Sequence, residues 1–406
     1  MAPARLEEKS RFTSTIQLTD NRRKLTAEGS SAFAELKKSG LKTEMLVGGV
    51  EVIEKIFAEW TELCEEGASN DPFLRPEWFL SFVRNFEKEI RLLTVRRGEK
   101  LRAVLPLVLK NGTLHGVPVK KLQAVFNLHS QRYDLVHGAD EEERNEIINA
   151  VWTAIKILSK WDVLEIRLVK KDSWLNGLLA AAETENHRTG IWQMDSAPYI
   201  TLPQAEDKER LIAAYFKGLS KNRRQLLKKK RRYLEEWGSV EFVSTRGYSA
   251  ALIQRYLALE SSGWKGRAGT AVVEDRNAAR LYDDFARAVA AQNALLIYEL
   301  KLDGAAIAMY ISIMFDRQTV GWKMSYDENY ARFSPGNLLF IEVLNDCMRN
   351  GSPELDQLSP ATYNKSMWAT GEYEHAAFYV FQRGIIGAML WKWKFSIIGR
   401  LRRFKK

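Results

Sequence analysis

Residues 319–351, TVGWKMSYDENYARFSPGNLLFIEVLNDCMRNG, read as a strand, a loop and a helix. Residues 321–326 are a short strand-like run, broken by Asp327-Glu328-Asn329. From 337 to 348, Leu338, Leu339, Ile341, Leu344, Cys347 and Met348 recur at helical spacing. Between the two lies Ala331-Arg332-Phe333-Ser334-Pro335-Gly336. Ser334 suits the N-cap, Pro335 the first helical position and Gly351 the C-terminal stop. A helix opened this way directs free backbone N–H groups and its positive dipole end at the loop. Gly336 lets an anion approach the backbone, and Arg332 adds a positive charge. These features describe a pyrophosphate cradle. The alternative is an ordinary strand-to-helix turn with a good cap.

Outward from this stretch the chain shows two similar hairpins. Leu92-Leu93-Thr94-Val95 and residues 101–107 flank Arg97-Gly98-Glu99, while residues 295–300 and 306–311 flank Asp303-Gly304. Their likeness is one of pattern and indicates an old tandem duplication. Residues 52–63, 76–80, 142–158, 174–183, 250–259 and 277–291 read as helical, and 161–168 as a half-buried strand. Only the second copy carries Ser-Pro-Gly, so the cofactor is expected there.

The chain has 406 residues, 46% hydrophobic, with a formal net charge of +10. That supports packed cores in two or more domains and an anionic partner. Cys64 and Cys347 cannot build a disulfide framework, and five scattered histidines show no metal-ligand spacing. No signal-peptide core opens the chain, and no apolar run approaches the ~20 residues of a spanning helix. A cytoplasmic location is the default expectation. Residues 1–43 are expected to be a mobile polar leader. Residues 217–232, KGLSKNRRQLLKKKRR, form a basic, helix-like run with Leu219, Leu226 and Leu227 as its apolar seam. It reads as a solvated face or a nucleic-acid contact, and no aromatic platform interleaves it.

The segment WKMSYDENYARFSPGNLL resembles the acyl-CoA loop of the GNAT superfamily. More narrowly, it is similar to CelD-like (cellulose-biosynthesis type) acetyltransferases, relatives of the FemABX aminoacyltransferases. The likeness extends over much of residues 44–372. It implies an α/β (α+β) fold of tandem GNAT-like domains, each a mixed central sheet flanked by helices. It divides the chain into the 1–43 leader, a degenerate domain at 44–200, an acyl-CoA-binding domain at 201–372 and a tail at 373–406. The implied activity is N-acyl transfer from acetyl-CoA or a longer acyl-CoA, without a metal, to an amine of an envelope-related sugar, amino acid or lipid intermediate. Two alternatives stand beside it: aminoacyl transfer from charged tRNA, the one case in which nucleic acid is a partner, and a non-catalytic membrane-associated assembly protein.

The resemblance also assigns roles. Arg332, Phe333, Ser334, Pro335, Gly336, Asn337 and Lys365 would hold the cofactor, and the strand before the loop would offer a backbone N–H to the thioester oxygen. Trp264 and Lys265 would meet the acceptor. Glu260 and Asp327, with Glu328 beside it, are candidates for base chemistry, and Tyr363 for protonating the leaving thiolate. The basic run would border the cofactor or an acidic acceptor. The 373–406 tail carries Trp391, Trp393 and the basic cluster from Arg400 to Lys406. It reads either as a peripheral anchor on the inner face of an anionic membrane, with indoles at headgroup depth, or as a final helix packed on the domain.

Overall fold

The computed structural model describes residues 14–17, 40–67, 70–138, 140–158 and 161–398. Its first half contributes β1 (Ser14–Gln17), β2 (Leu41–Gly48), β3 (Ile90–Arg97), β4 (Lys100–Leu114) and β5 (Val117–Ala124). These run as an antiparallel meander. A two-residue β6 (Val136–His137) flanks β4, and β7 (Val163–Lys170) then pairs parallel with β5. The second half repeats the plan after β8 (Arg188–Thr201). Strands β9 (Val240–Arg246), β10 (Leu295–Leu302), β11 (Ala305–Phe315) and β12 (Gln318–Tyr326) form a meander, and β13 (Glu354–Asp356) pairs parallel with β12. Each half is thus a mixed sheet flanked by helices, and the fold is α/β.

The hairpin expected from Asp303-Gly304 forms as β10–β11. Both turn residues take positive φ, 49° and 79°, the geometry that matches the right-handed twist of the strands.

The last strand, β14 (Gly371–Phe381), lies between β7 and β8, antiparallel to both. β8 in turn pairs with β13. The second half therefore lends its final strand to the first, and the first lends β8 to the second. All the strands join in one sheet. This corrects the expected tail, since residues 371–381 are central sheet and not a peripheral segment. At the other end, β2 begins inside the expected leader and β1 pairs with it. The rest of the 1–43 leader lies outside the described residues.

Helices cover both faces. One core cluster crosses the halves, where Trp78, from helix Pro76–Phe86, meets Phe285, from helix Arg276–Ala291, at 5.0 Å between ring centroids. A second cluster lies under helix Pro335–Arg349. The stripe at 52–63 is broken into helices Val50–Lys55 and Phe57–Glu66. In the basic helix, Lys221–Glu235, Leu227 packs against the second cluster but Leu226 is exposed, so the expected seam is narrower. No described helix is long and apolar enough to cross a membrane.

Candidate active site

The decisive strand is β12. Its ladder with β13 covers only Thr319–Leu355 and Val320–Asp356. Beyond Val320 that ladder ends, and among the described residues no other strand pairs with this edge of β12. On its other side the register with β11 shifts: Ser312 faces Gly321 and Ile311 faces Lys323, leaving Trp322 as an extra residue. A bulge of this kind re-aims backbone and side chains. Trp322 stacks on Tyr282 at 4.8 Å, and the Lys323 ammonium lies 4.9 Å from the same ring, so consecutive side chains share one face.

After β12, a 3-10 turn (Glu328–Phe333) leads into helix Pro335–Arg349. Pro335 takes the first turn as expected. Gly351 takes φ 70° just past the C-terminus, where its N–H and that of Ser352 return to Met348 and Cys347 carbonyls. Ser334 occupies the N-cap but adopts a left-handed conformation, and its side chain makes no capping bond. That corrects the expected hydroxyl cap. Gly336 faces the strand: an added Cβ would lie 3.3 Å from the Met324 sulfur. Its lack of a side chain serves helix–strand packing. Phe333 and Pro335 are also buried, with Phe333 in the second core cluster.

What brackets this helix start is cationic. On one side the Arg332 guanidinium stacks 3.9 Å over Trp237, and Lys230 of the basic helix donates to the Arg332 carbonyl. On the other, Arg223 of the same basic helix lies 3.7 Å over the Trp368 ring. The Trp368 indole N–H donates to Asn337 Oδ1 at 3.1 Å, tying this platform to the third residue of the helix. Arg223 Nη1 donates to the Met367 carbonyl at 2.5 Å, but Nε and Nη2 are buried without a hydrogen-bond partner. Buried donors left unmade are costly. An anion at the helix start would satisfy them.

Around the bulge sit three lysines. Lys365 donates to the Leu358 carbonyl at 3.0 Å. Its pKa is pushed down to about 8, first by burial; Asp356 opposes this, and Lys323 and Lys265 add to it. Burial also lowers the Lys323 pKa, with Glu260 opposing. Glu260 is 2% exposed, bonded to Lys265 Nζ at 2.5 Å and to the Val272 N–H at 3.0 Å. Burial disfavours its charge, but these two partners outweigh it and hold the carboxyl below its ordinary range. An ionised, doubly bonded carboxylate is a weak base, so Glu260 fits a structural role. Asp327 accepts the Asn329 N–H and caps the 3-10 turn. Glu328 accepts the Trp264 N–H at 2.8 Å and pairs with Arg267. Trp264 is exposed, and so is Tyr363, at 84%, outside the lysine cluster.

Two first-half residues reach this site, and neither was singled out from the sequence. The loop after β5 opens no helix and instead delivers His129 and Arg132. The His129 ring meets the Tyr282 ring edge-on at 5.6 Å, beside the Trp322–Lys323 bulge. Burial, then Lys323, lowers its pKa, against Asp275 and Glu260. Arg132 bonds Asp71, Asp356 and the Tyr373 hydroxyl. Asp356 is the last β13 residue paired with β12. A cavity of about 650 Å³ between the halves reaches Val320 and Asp356 and is rich in carboxylates, among them Asp71, Asp134, Glu141, Asp172 and Glu354. Burial pushes the Asp134 carboxyl up to about 7, and burial followed by Asp356 raises that of Glu354. Among the described residues no group of side chains could hold a metal ion.

Residues 221–366 match the family model of the acetyltransferase (GNAT) domain. Over those residues the chain is similar to GNAT acetyltransferases. That segment contains the basic helix, β12, the helix start and Lys365. No curated protein matches the sequence. Among solved structures, the chain is similar to a DUF2156 domain of Agrobacterium fabrum, from a protein named as a candidate lysylphosphatidylglycerol synthetase: 12% identity, TM-score 0.49, covering 83% of this chain and 95% of that one. It is similar also to FemX, at 11% identity and TM-score 0.46 over 70% of this chain and 87% of FemX. A tandem GNAT protein from the clavulanic acid biosynthesis pathway aligns at 12% identity and TM-score 0.42, over 85% of this chain and 99% of that one. The narrower CelD-like assignment receives no support from these comparisons.

Proposed function

We propose that the GNAT domain transfers an acyl group from acyl-coenzyme A to an amine. The observation that carries this reading is the end of the β12–β13 ladder at Val320 beside a helix start flanked by Arg223's unpartnered guanidinium nitrogens. The donor's pyrophosphate would meet Arg223, Arg332 and the helix start, and its thioester would enter the gap along β12. A backbone N–H at the bulge would take the developing oxyanion, a contact worth roughly 3 kcal/mol. His129 would accept the ammonium proton of the acceptor, freeing the nitrogen lone pair. The C–N bond would then form and the C–S bond break, with the nitrogen's second proton passing to Lys365 in place of the one that Lys365 gives the sulfur. Lys365, with its pKa near 8, would return a proton to the thiolate, a better acid match than the exposed Tyr363. The acid-rich cavity would admit the acceptor as a cation. An envelope-related amino acid, aminosugar or aminolipid fits that charge. We further propose that the chain divides into two GNAT-like halves with exchanged final strands, the first of them degenerate.

Aminoacyl transfer from charged tRNA is the second reading, favoured by the exposed outer face of the basic helix, which includes Lys221, Lys228, Lys229 and Arg232. Calorimetric titration with acetyl-CoA, a long-chain acyl-CoA and aminoacyl-tRNA separates the two. Micromolar binding and turnover of a thioester are expected. Product from aminoacyl-tRNA alone would reverse the assignment.

Arg223 gives a sharper test. Arg223→Leu is expected to weaken acyl-CoA binding about 10- to 100-fold, the loss of charge-assisted bonds of ~1.5–3 kcal/mol. Its folding stability should be unchanged or higher, because burial of two unsatisfied donors is relieved. Unaltered affinity by calorimetry would remove Arg223 from the site.

A further inference from the structure

The C-terminal segment turns the sequence expectation for the tail inside out. Trp391 is tied down: its indole N–H donates to the Thr189 carbonyl at 2.6 Å, and its ring packs beside Phe395. The Trp393 N–H bonds the His115 carbonyl at 3.3 Å. Lys394 is 3% exposed, with its ammonium 4.0 Å over Tyr379 and 4.6 Å over Trp192. In helix Ile385–Trp391, Gly387 and Leu390 face the body. The opposite side carries Ile385, Ile386 and Met389, exposed at 79%, 70% and 66%. Ile385, Met389 and Lys392 follow one another at helical spacing, so a cation ends the aliphatic row. After Glu374 the sequence has no acidic residue but eight basic ones: Arg383, Lys392, Lys394, Arg400, Arg402, Arg403, Lys405 and Lys406. The last five lie outside the described residues.

We propose that the Ile385–Ile386–Met389 ridge inserts into the headgroup boundary of an anionic membrane while the exposed Arg383 and Lys392 at its two ends meet lipid phosphates. Charge selects the occupant. An aliphatic row inside a purely cationic segment suits anionic lipid and disfavours a second copy of the same cationic surface. The proposal is independent of the acyl-transfer reading.

The test is co-sedimentation of the full chain with vesicles of phosphatidylcholine plus phosphatidylglycerol, and of phosphatidylcholine alone. The full chain should bind the anionic vesicles, less so as salt rises. Ile385→Ser/Ile386→Ser/Met389→Ser should bind them at least about tenfold more weakly, with its far-UV spectrum and acyl-CoA affinity unchanged. Trp391→Phe should bind as the unaltered chain does. Equal binding by the triple variant, equal binding to neutral vesicles, or no vesicle binding by the full chain would each overturn the proposal. So would a dimer in solution that the triple variant dissolves without any lipid binding. Loss of acyl-CoA affinity in the unaltered chain would instead indict the catalytic reading.

Discussion

Replacing Arg132 with methionine is expected to cost about 3–5 kcal/mol of folding stability. Arg132 is 7% exposed, and its guanidinium joins Asp71 of the first half to Asp356 and Tyr373 of the second. Burial works to discharge it, but Asp356 and then Asp71 hold its pKa well above the ordinary value. Its removal leaves the buried Asp356 and the part-buried Asp71 without their cation. The cost comes from that uncompensated charge more than from lost attraction. Arg132→Met combined with Asp71→Asn and Asp356→Asn should therefore recover part of the loss. Denaturant unfolding measures both. A cost below about 1 kcal/mol for Arg132→Met, or no recovery in the triple variant, would mean that water reaches the network.

His129→Gln is expected to lower kcat by roughly 10²- to 10⁴-fold with little change in KM, the usual contribution of a positioned general base. Glutamine keeps much of the shape and a hydrogen-bond donor, so packing against Tyr282 survives while proton acceptance does not. The pH profile adds a signature that a structural role would not give. The base acts as neutral imidazole. Burial and Lys323 lower its pKa from 6.5, so the acidic limb of kcat/KM, which reports the free enzyme, should fall below that value. Lys323→Met removes one cause of the lowering and leaves Asp275 and Glu260, which raise it; the limb should then move to higher pH. A His129→Gln enzyme with normal kcat, or a limb indifferent to Lys323, would sink the assignment.

The local parts of this architecture were legible. The β10–β11 hairpin followed from alternation around Asp303-Gly304, and helix Pro335–Arg349 from its periodicity, Pro335 and Gly351. These signals are short-range and act through a few neighbouring dihedrals. The long-range parts were hidden. β14 was read as tail because its partners, β7 and β8, lie about two hundred residues away in sequence and leave no mark on residues 371–381. Trp391 and Trp393 carried the same composition whether docked or lipid-facing, and only the partners at Thr189 and His115 decide. Among the candidate site residues, Glu260 and Asp327 have the right chemistry, but the structure commits their oxygens to Lys265, Val272 and Asn329. His129 was invisible because it comes from the copy that has no cradle of its own. Arg223 was covered only as one cation in a basic run; what distinguishes it is stacking on Trp368, more than a hundred residues downstream.

The position of β14 also sets a clock on biosynthesis. During translation the strand that fills the space between β7 and β8 emerges only about two hundred residues after β7. Until then both present unpaired backbone edges to the cell, the condition under which nascent sheets recruit chaperones or one another. A chain cut short before residue 371 would keep its whole GNAT-matching segment and still be left with an open seam between β7 and β8, where the two halves join.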